Sequence, residues 1–294
     1  MARDPTSGDL GVAVHSHWFS VGSIVSWART GVGAVATQSV AEPGYGPNAL
    51  DALQDPAASA ESALAELLEA DPLARVRQVG VVDAHGRVAV HTGGDCIPIA
   101  GHVLGGGFAC QANMMAADGV PEAMAAAFEG ASGPLAERLV AALEGAESAG
   151  GDVRGRQSAA LVVVPAQGDP WRRSTDLRVE DHADPITELR RILVLDRAYT
   201  LAGEGDELLA EGRVDAAGAK YRQASRLAPG SDELLFWAGL AMAGAGDVEA
   251  GVAAVRRAAG AHPGWLVLLD RLSPEFAPSG DVVRAALGRR ALGE

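Results

Sequence analysis

Small and β-branched residues run between glycines over Leu10–Val14 and again over Val32–Thr37, which suits short buried strands better than helices. Ahead of them, Asp4-Pro5-Thr6-Ser7-Gly8-Asp9 has tight-turn composition and predicts a hairpin. Two helical segments follow. In the clearer one, Ser59–Ala70, Ala60, Leu64, Leu67 and Leu68 recur at helical spacing, with Glu61, Glu66 and Glu69 on the other face. Ser59 and Ser62 predict only a weak cap for it. Val76–Asp83 and Arg87–Thr92 flank Ala84-His85-Gly86 as a second hairpin, and Gly101–Met115 reads as one strand. Val120–Phe128 and Pro134–Ala149 read as helices, Ser158–Pro165 and Asp176–Val179 as strands, and Pro185–Leu195 as a helix opened by its proline. This order predicts an α+β domain over residues 1–195, an αββα sandwich in which two antiparallel sheets face each other under outer helices.

From about Ala198 onward the strand signals vanish and a period of 34 appears. Gly205, Gly212, Ala224 and Pro229 recur as Gly239, Gly246, Ala258 and Pro263. The spacing resembles a tetratricopeptide repeat, with Ala217 and Tyr221 as the small and large residues packed between two helices. Gly251 and Val255 make the second unit weaker. Residues 196–294 are therefore predicted to be an all-α repeat module, with Asp281–Leu292 as a capping helix; a plain helical hairpin tail is the alternative. Two repeats are fewer than the three that usually stand alone, so the module is expected to lean on the first domain or on another copy, making the protein a homo-oligomer. Such repeats bind peptides or mediate assembly.

Composition narrows the function classes. A chain of 294 residues has room for two domains, and 48% hydrophobic with 21% charged residues is ordinary for a soluble globular protein. The net charge of −14 is spread along the chain, which disfavours nucleic acid and anionic membranes as partners. No signal-peptide succession opens the chain and no run of 18 apolar residues occurs, so a cytoplasmic location is expected. Cys96 and Cys110 read as reduced, buried thiols.

Seven stretches, in order, carry a resemblance to a known family: ARDPTSGDLGVAVHSHWFSVGS, WARTGVGAVATQ, PGYGPNALDAL, VRQVGVVDAHGRVAVHTG, GHVLGGGF, QANMMA and RGRQSAALVVV. Across residues 1 to about 195 the chain resembles the bacterial family called domain of unknown function 1028, which implies the fold of the N-terminal-nucleophile hydrolases. In hydrolases of that fold the first residue of the mature chain, a Thr, Ser or Cys, attacks a carbonyl while its own α-amino group acts as base. Family members begin with a strand resembling T-F-S-I-V-A-R-D, whereas this chain begins Met1-Ala2-Arg3-Asp4. The resemblance thus implies a start placed about four residues too late, with Met1 at a valine position whose GTG codon can be taken as a start. If the hairpin turn centres near Thr6 and Ser7, paired positions sum to about 13, which puts the implied threonine opposite Ser16. As the chain stands, weak stability or no activity is expected.

The candidate site residues sit at strand ends. Ser16 is placed to orient an amine or substrate, or else to satisfy strand-end backbone; His17 is a weaker candidate for substrate contact. His15 and His17 have a metal-compatible spacing, but no third and fourth ligand are evident, so no metal or cofactor is expected. Thr37 and Gln38 end a strand that in the resembled fold approaches the nucleophile, or else are simply a polar strand terminus. Gln111 and Asn113 share a strand face and could donate amide hydrogens to an oxyanion, or cap the next loop. Asp83 reads as a turn former beside His91 and Thr92. Arg156, Gln157 and Ser158 could bind an anionic group or simply form a solvated strand entrance. No Ser-His-Asp ordering, Walker loop, dinucleotide fingerprint or H-E-x-x-H occurs. The leading expectation is a hydrolase of small amides or peptides, with Ser16, Thr37, Gln38 and Asn113 catalytic. The alternative is a non-catalytic scaffold that binds a partner through its repeats.

Overall fold

Ten strands sort into two antiparallel sheets in a computed structural model of the protein, which describes residues 1–289. They are β1 (Ala2–Arg3), β2 (Leu10–Ser16), β3 (Ser26–Arg29), β4 (Gly33–Ser39), β5 (Arg77–Asp83), β6 (Val88–Thr92), β7 (Gly101–Gly105), β8 (Phe108–Ala112), β9 (Ser158–Val164) and β10 (Thr175–Val179). The larger sheet has the order β10-β9-β2-β1-β8-β7 and the smaller β3-β4-β5-β6. Five helices accompany them: α1 (Tyr45–Ala52), α2 (Ala60–Ala70), α3 (Val120–Gly130), α4 (Leu135–Ser148) and the start of α5 (Pro185–Ala210). The chain divides into two compact units, Met1–Leu193 and Val194–Glu294.

Strand alternation decides what each face buries. On β2 and β9, Leu10, Val12, Val14, Ala160 and Val162 point toward the smaller sheet and pack with Ala34, Ala36 and Val82. Leu161 and Val163 point the other way, onto Leu139, Leu143 and Leu189 of α4 and α5. The smaller sheet turns Val35, Val79 and Val81 toward Tyr45, Leu50 and Leu64 of α1 and α2. Each fully buried Val or Leu contributes about 1.5–3 kcal/mol, so these three interfaces hold the unit together.

Local chemistry corrects several sequence expectations. The stretch Gly101–Met115 is not one strand but a hairpin, because Gly105-Gly106-Gly107 allows a tight turn with Gly107 at φ 79°. The helix expected to end at Leu195 runs on to Ala210, since its first left-handed break is Gly212 at φ 75°. Ser59 and Ser62 form a full reciprocal capping box rather than a weak cap. The short strand β3 escaped notice because Trp27 and Arg29 obscure its alternation. The first hairpin has the expected register, pairing Ala2 with Gly11 and Arg3 with Leu10.

The second unit contains α6 (Val214–Leu227), α7 (Asp232–Gly244), α8 (Val248–Ala261), α9 (Gly264–Arg271) and α10 (Gly280–Ala286). Helices α6 and α8 are both 14 residues long and begin 34 residues apart, so the sequence period is a structural one. Gly212 and Gly246 terminate the preceding helices with positive φ, and Pro229 and Pro263 follow the helix ends. Ala224 and Ala258 are buried at equivalent places. The expected capping helix Asp281–Leu292 is the shorter α10, and its residues 290–292 lie outside the described residues.

Helices α7 and α8 meet at Gly239 and Gly251, where a Cβ on Gly251 would stand 2.5 Å from the Gly239 carbonyl oxygen. Gly251→Val is expected to destabilise this pair by about 1–3 kcal/mol through overpacking. Hydrogen exchange should then speed up in α7 and α8; unchanged protection there would contradict the close approach.

Candidate functional site

The two-residue strand β1 creates the feature on which the site is built. It pairs with β2 at Ala2 and Arg3 and with β8 at Ala2, and the Met1 carbonyl accepts the Ala109 N–H at 3.0 Å. Beyond Met1, β2 and β8 continue side by side with a strand-wide gap between them. Antiparallel alternation turns the backbone N–H and C=O of Ala13 and His15 toward this gap from β2, and those of Gln111 from β8. A cavity of about 440 Å³ passes through the sheet here. Met124 and Leu143 of the outer helices line one end, and Val25, Ala36 and Gln38 line the end toward the smaller sheet.

Unsatisfied polar atoms concentrate in its wall. His15 Nδ1, Ser39 Oγ and Gln111 Oε1 are buried without a hydrogen-bond partner, and all three residues line the cavity. Ser39 (φ 72°) and Met114 (φ 55°), two non-glycine residues held in the left-handed region, line it too. Stored backbone strain and orphaned polar atoms are features of sites that handle a ligand.

A carboxamide network joins the two sheets. Gln78, fully buried on β5, donates through Nε2 to Ala112 O at 3.0 Å and to Thr92 Oγ1 at 3.0 Å. Its Oε1 accepts from Gln38 Nε2 at 2.8 Å and from Asn113 Nδ2 at 3.1 Å. Gln111 Nε2 donates to Ala36 O at 3.2 Å, which leaves its Oε1 facing Met1 and Gly80, where a Cβ on Gly80 would lie 2.6 Å from that oxygen.

Charged groups border the gap on the β2 side. Asp152 receives Arg154 Nη2 at 2.6 Å and Nε at 2.9 Å, and Arg154 Nη2 also donates to Ser16 Oγ at 3.3 Å. Burial pushes the Asp152 carboxyl upward, but the Arg154 guanidinium and nearby backbone N–H groups hold it below the usual carboxylate range. His15 Nδ1 is 3.7 Å from Glu147. Burial drives its pKa below the ordinary 6.5, against the charges of Glu147 and Asp152.

Of the residues proposed from sequence, Ser16, Gln38, Gln111 and Asn113 line the cavity together. Thr37 faces the opposite side of its strand and donates to Glu42 O, which follows from one-residue alternation with Gln38. His17 lies past the end of β2, and its backbone N–H donates to Asp152 at 3.4 Å. Arg156 is paired with Glu147 and Asp184, and Gln157 donates to Asp181. Ser158 is a structural pin, accepting the Val21 N–H at 3.1 Å and donating to Trp18 O at 2.5 Å. Asp83 is the turn former, accepting the His85 and Arg87 N–H groups at 2.9 and 3.0 Å. Among the described residues, no three His, Cys, Asp or Glu side chains converge as metal ligands, and no helix is long and apolar enough to cross a membrane. Sequence reasoning missed Gln78, Ser39, Asp152 and Arg154. Only Gln78 left a signal, as a lone amide in an apolar run.

A family model described as a family of unknown function, DUF1028, matches residues 1–189. The chain belongs to the DUF1028 family. A crystal structure of protein SPO2555 from Silicibacter pomeroyi, also assigned to DUF1028, is similar to it with a TM-score of 0.60 and 29% identity, over 65% of this chain and 82% of that one. No curated protein matches the chain.

Burial lowers the His15 pKa in the folded state, so acidification through its ordinary value favours the unfolded chain. Stability is expected to be independent of this group above about pH 6.5 and to fall as pH drops below it. His15→Gln should flatten that part of the profile, read by chemical denaturation between about pH 7 and 5. An NMR titration midpoint for His15 at or above the ordinary value would contradict the assignment.

Proposed function

We propose that the DUF1028 unit is a hydrolase of small amides or short peptides, of the N-terminal-nucleophile type, with the αββα sandwich that this class implies. The observation that carries the reading is the gap between β2 and β8, which opens into the cavity beside the carboxamide network. If β1 extends backward by the four residues the family resemblance implies, the pairing sum of 13 at Ala2 and Arg3 sets its first residue opposite Ser16.

In that position a side-chain hydroxyl or thiol attacks the amide carbon while the chain's own α-amino group takes its proton. Asn113 has one amide N–H committed to Gln78, and its second is suited to the developing oxyanion. Collapse of the tetrahedral intermediate expels the amine, which receives the proton, and water then cleaves the acyl-enzyme. Arg154, held by Asp152, supplies a positive group for a substrate carboxylate near Ser16. In this reading the C-terminal unit is a pair of tetratricopeptide repeats that serves assembly or partner binding, supported by the 34-residue spacing of α6 and α8.

The intact mass of the protein from its native host tests the central requirement. About four additional residues beginning with Thr, Ser or Cys, the number the family resemblance implies, supports the hydrolase. In that form Asn113→Ala is expected to lower kcat about 10²–10³-fold. A native chain beginning at Met1 or Ala2 would remove the nucleophile and leave the scaffold reading.

A further inference from the structure

The second unit holds a cavity of its own, of about 560 Å³, between α5, α6, α7 and the loop ahead of α10. Four aromatic residues line it: Tyr199, Tyr221, Trp237 and Phe276. The whole chain has 13 such residues, so this wall is strongly enriched in them. Phe276 is 81% exposed and Tyr199 44% exposed, although large apolar rings are normally withdrawn from water. Two carboxylates share the wall. Glu233 accepts the Tyr199 hydroxyl at 2.7 Å, and Asp206 accepts the Tyr221 hydroxyl. No Lys, Arg or His is among the described residues lining the cavity.

We propose that this cavity binds an arginine side chain carried on an apolar peptide segment. A guanidinium stacks on aromatic faces and donates from several N–H groups to carboxylates, and each carboxylate here keeps lone pairs beyond the one taken by a tyrosine. Leu209, Leu234 and Leu240 line the remaining wall and match apolar neighbours of the arginine. The cavity is too large for the guanidinium alone, so those flanking residues belong to the ligand. The net charge of −14 draws such a ligand toward the protein from a distance. The proposal is independent of whether the DUF1028 unit hydrolyses amides.

The test uses the full chain and a fluorescent, N-acetylated, C-amidated peptide of alternating Leu and Ala with one central Arg, followed by anisotropy. Two control peptides carry citrulline or Glu in place of the Arg. The Arg peptide is expected to bind saturably, about 3- to 30-fold tighter than the citrulline peptide, with the Glu peptide weakest. Glu233→Gln and Asp206→Asn should each erode that preference. Phe276→Ser alters an exposed ring without touching the core and should weaken the Arg peptide as well. Equal binding of all three peptides, no saturable binding, or an Arg preference unchanged in all three variants would overturn the proposal. Failure here leaves the hydrolase reading untouched, because that reading is scored by native mass and turnover.

Discussion

Backbone groups inside a β-sheet need partners, and β2 meets this need unequally on its two sides. Against β9 it pairs over its whole length, from Leu10 to Ser16, whereas against β1 it pairs only at Leu10 and Gly11. The strand order makes the shortfall central, because β1 lies in the middle of six strands with β8 beyond it. Beyond Ala2 the facing edges of β2 and β8 border the cavity instead of pairing with a strand between them. The cavity, its orphaned polar atoms and its two strained residues all sit around this gap.

The carboxamide network is what keeps the gap's walls in place. Gln78 spans the two sheets, and its amide oxygen and nitrogen are fully engaged on opposite sides. A buried amide left unpaired would be destabilising by about 1–3 kcal/mol, so Gln78, Gln38 and Asn113 fix one another's orientation. Neutral amides achieve this without the desolvation that a buried ion pair entails. Charge is confined to the rim, where Asp152 and Arg154 neutralise each other and still reach Ser16.

Much of this fold was legible because its signals are local. Glycine punctuation and β-branched runs mark β2, β4, β5 and β9, and the 34-residue spacing marks the helical repeat. Errors arose where a local signal was overruled or silent. Leu195 is no helix end, because stopping needs a residue such as Gly212 rather than a change in composition. Gly101–Met115 splits because three consecutive glycines permit a turn inside an apolar run. The site was half legible: Ser16, Gln38, Gln111 and Asn113 fall at strand ends that topology brings together. Asp152 and Arg154 come from a loop far along the chain, and no spacing rule joins them to Ser16. Thr37 shows the limit of strand-end reasoning, since its neighbour Gln38 takes the inward face.

In the second unit the 34-residue period constrains helix geometry more tightly than it constrains part of the cavity wall. Residues that set helix geometry are kept at the 34-residue offset, as in Gly205 and Gly239, Gly212 and Gly246, or Ala224 and Ala258. Ala224 belongs to that set and also lines the cavity, but other lining positions differ in kind between the two repeats. Tyr199 is answered 34 residues later by Glu233, Gly203 by Trp237 and Asp206 by Leu240. Tyr199 and Glu233 are hydrogen-bonded to each other, so one repeat's aromatic orients the next repeat's carboxylate. Helix packing demands that the first set recur. The ligand recognition proposed for this wall rests on the positions that differ, because Tyr199, Trp237, Asp206 and Glu233 bring rings and acids into one cavity.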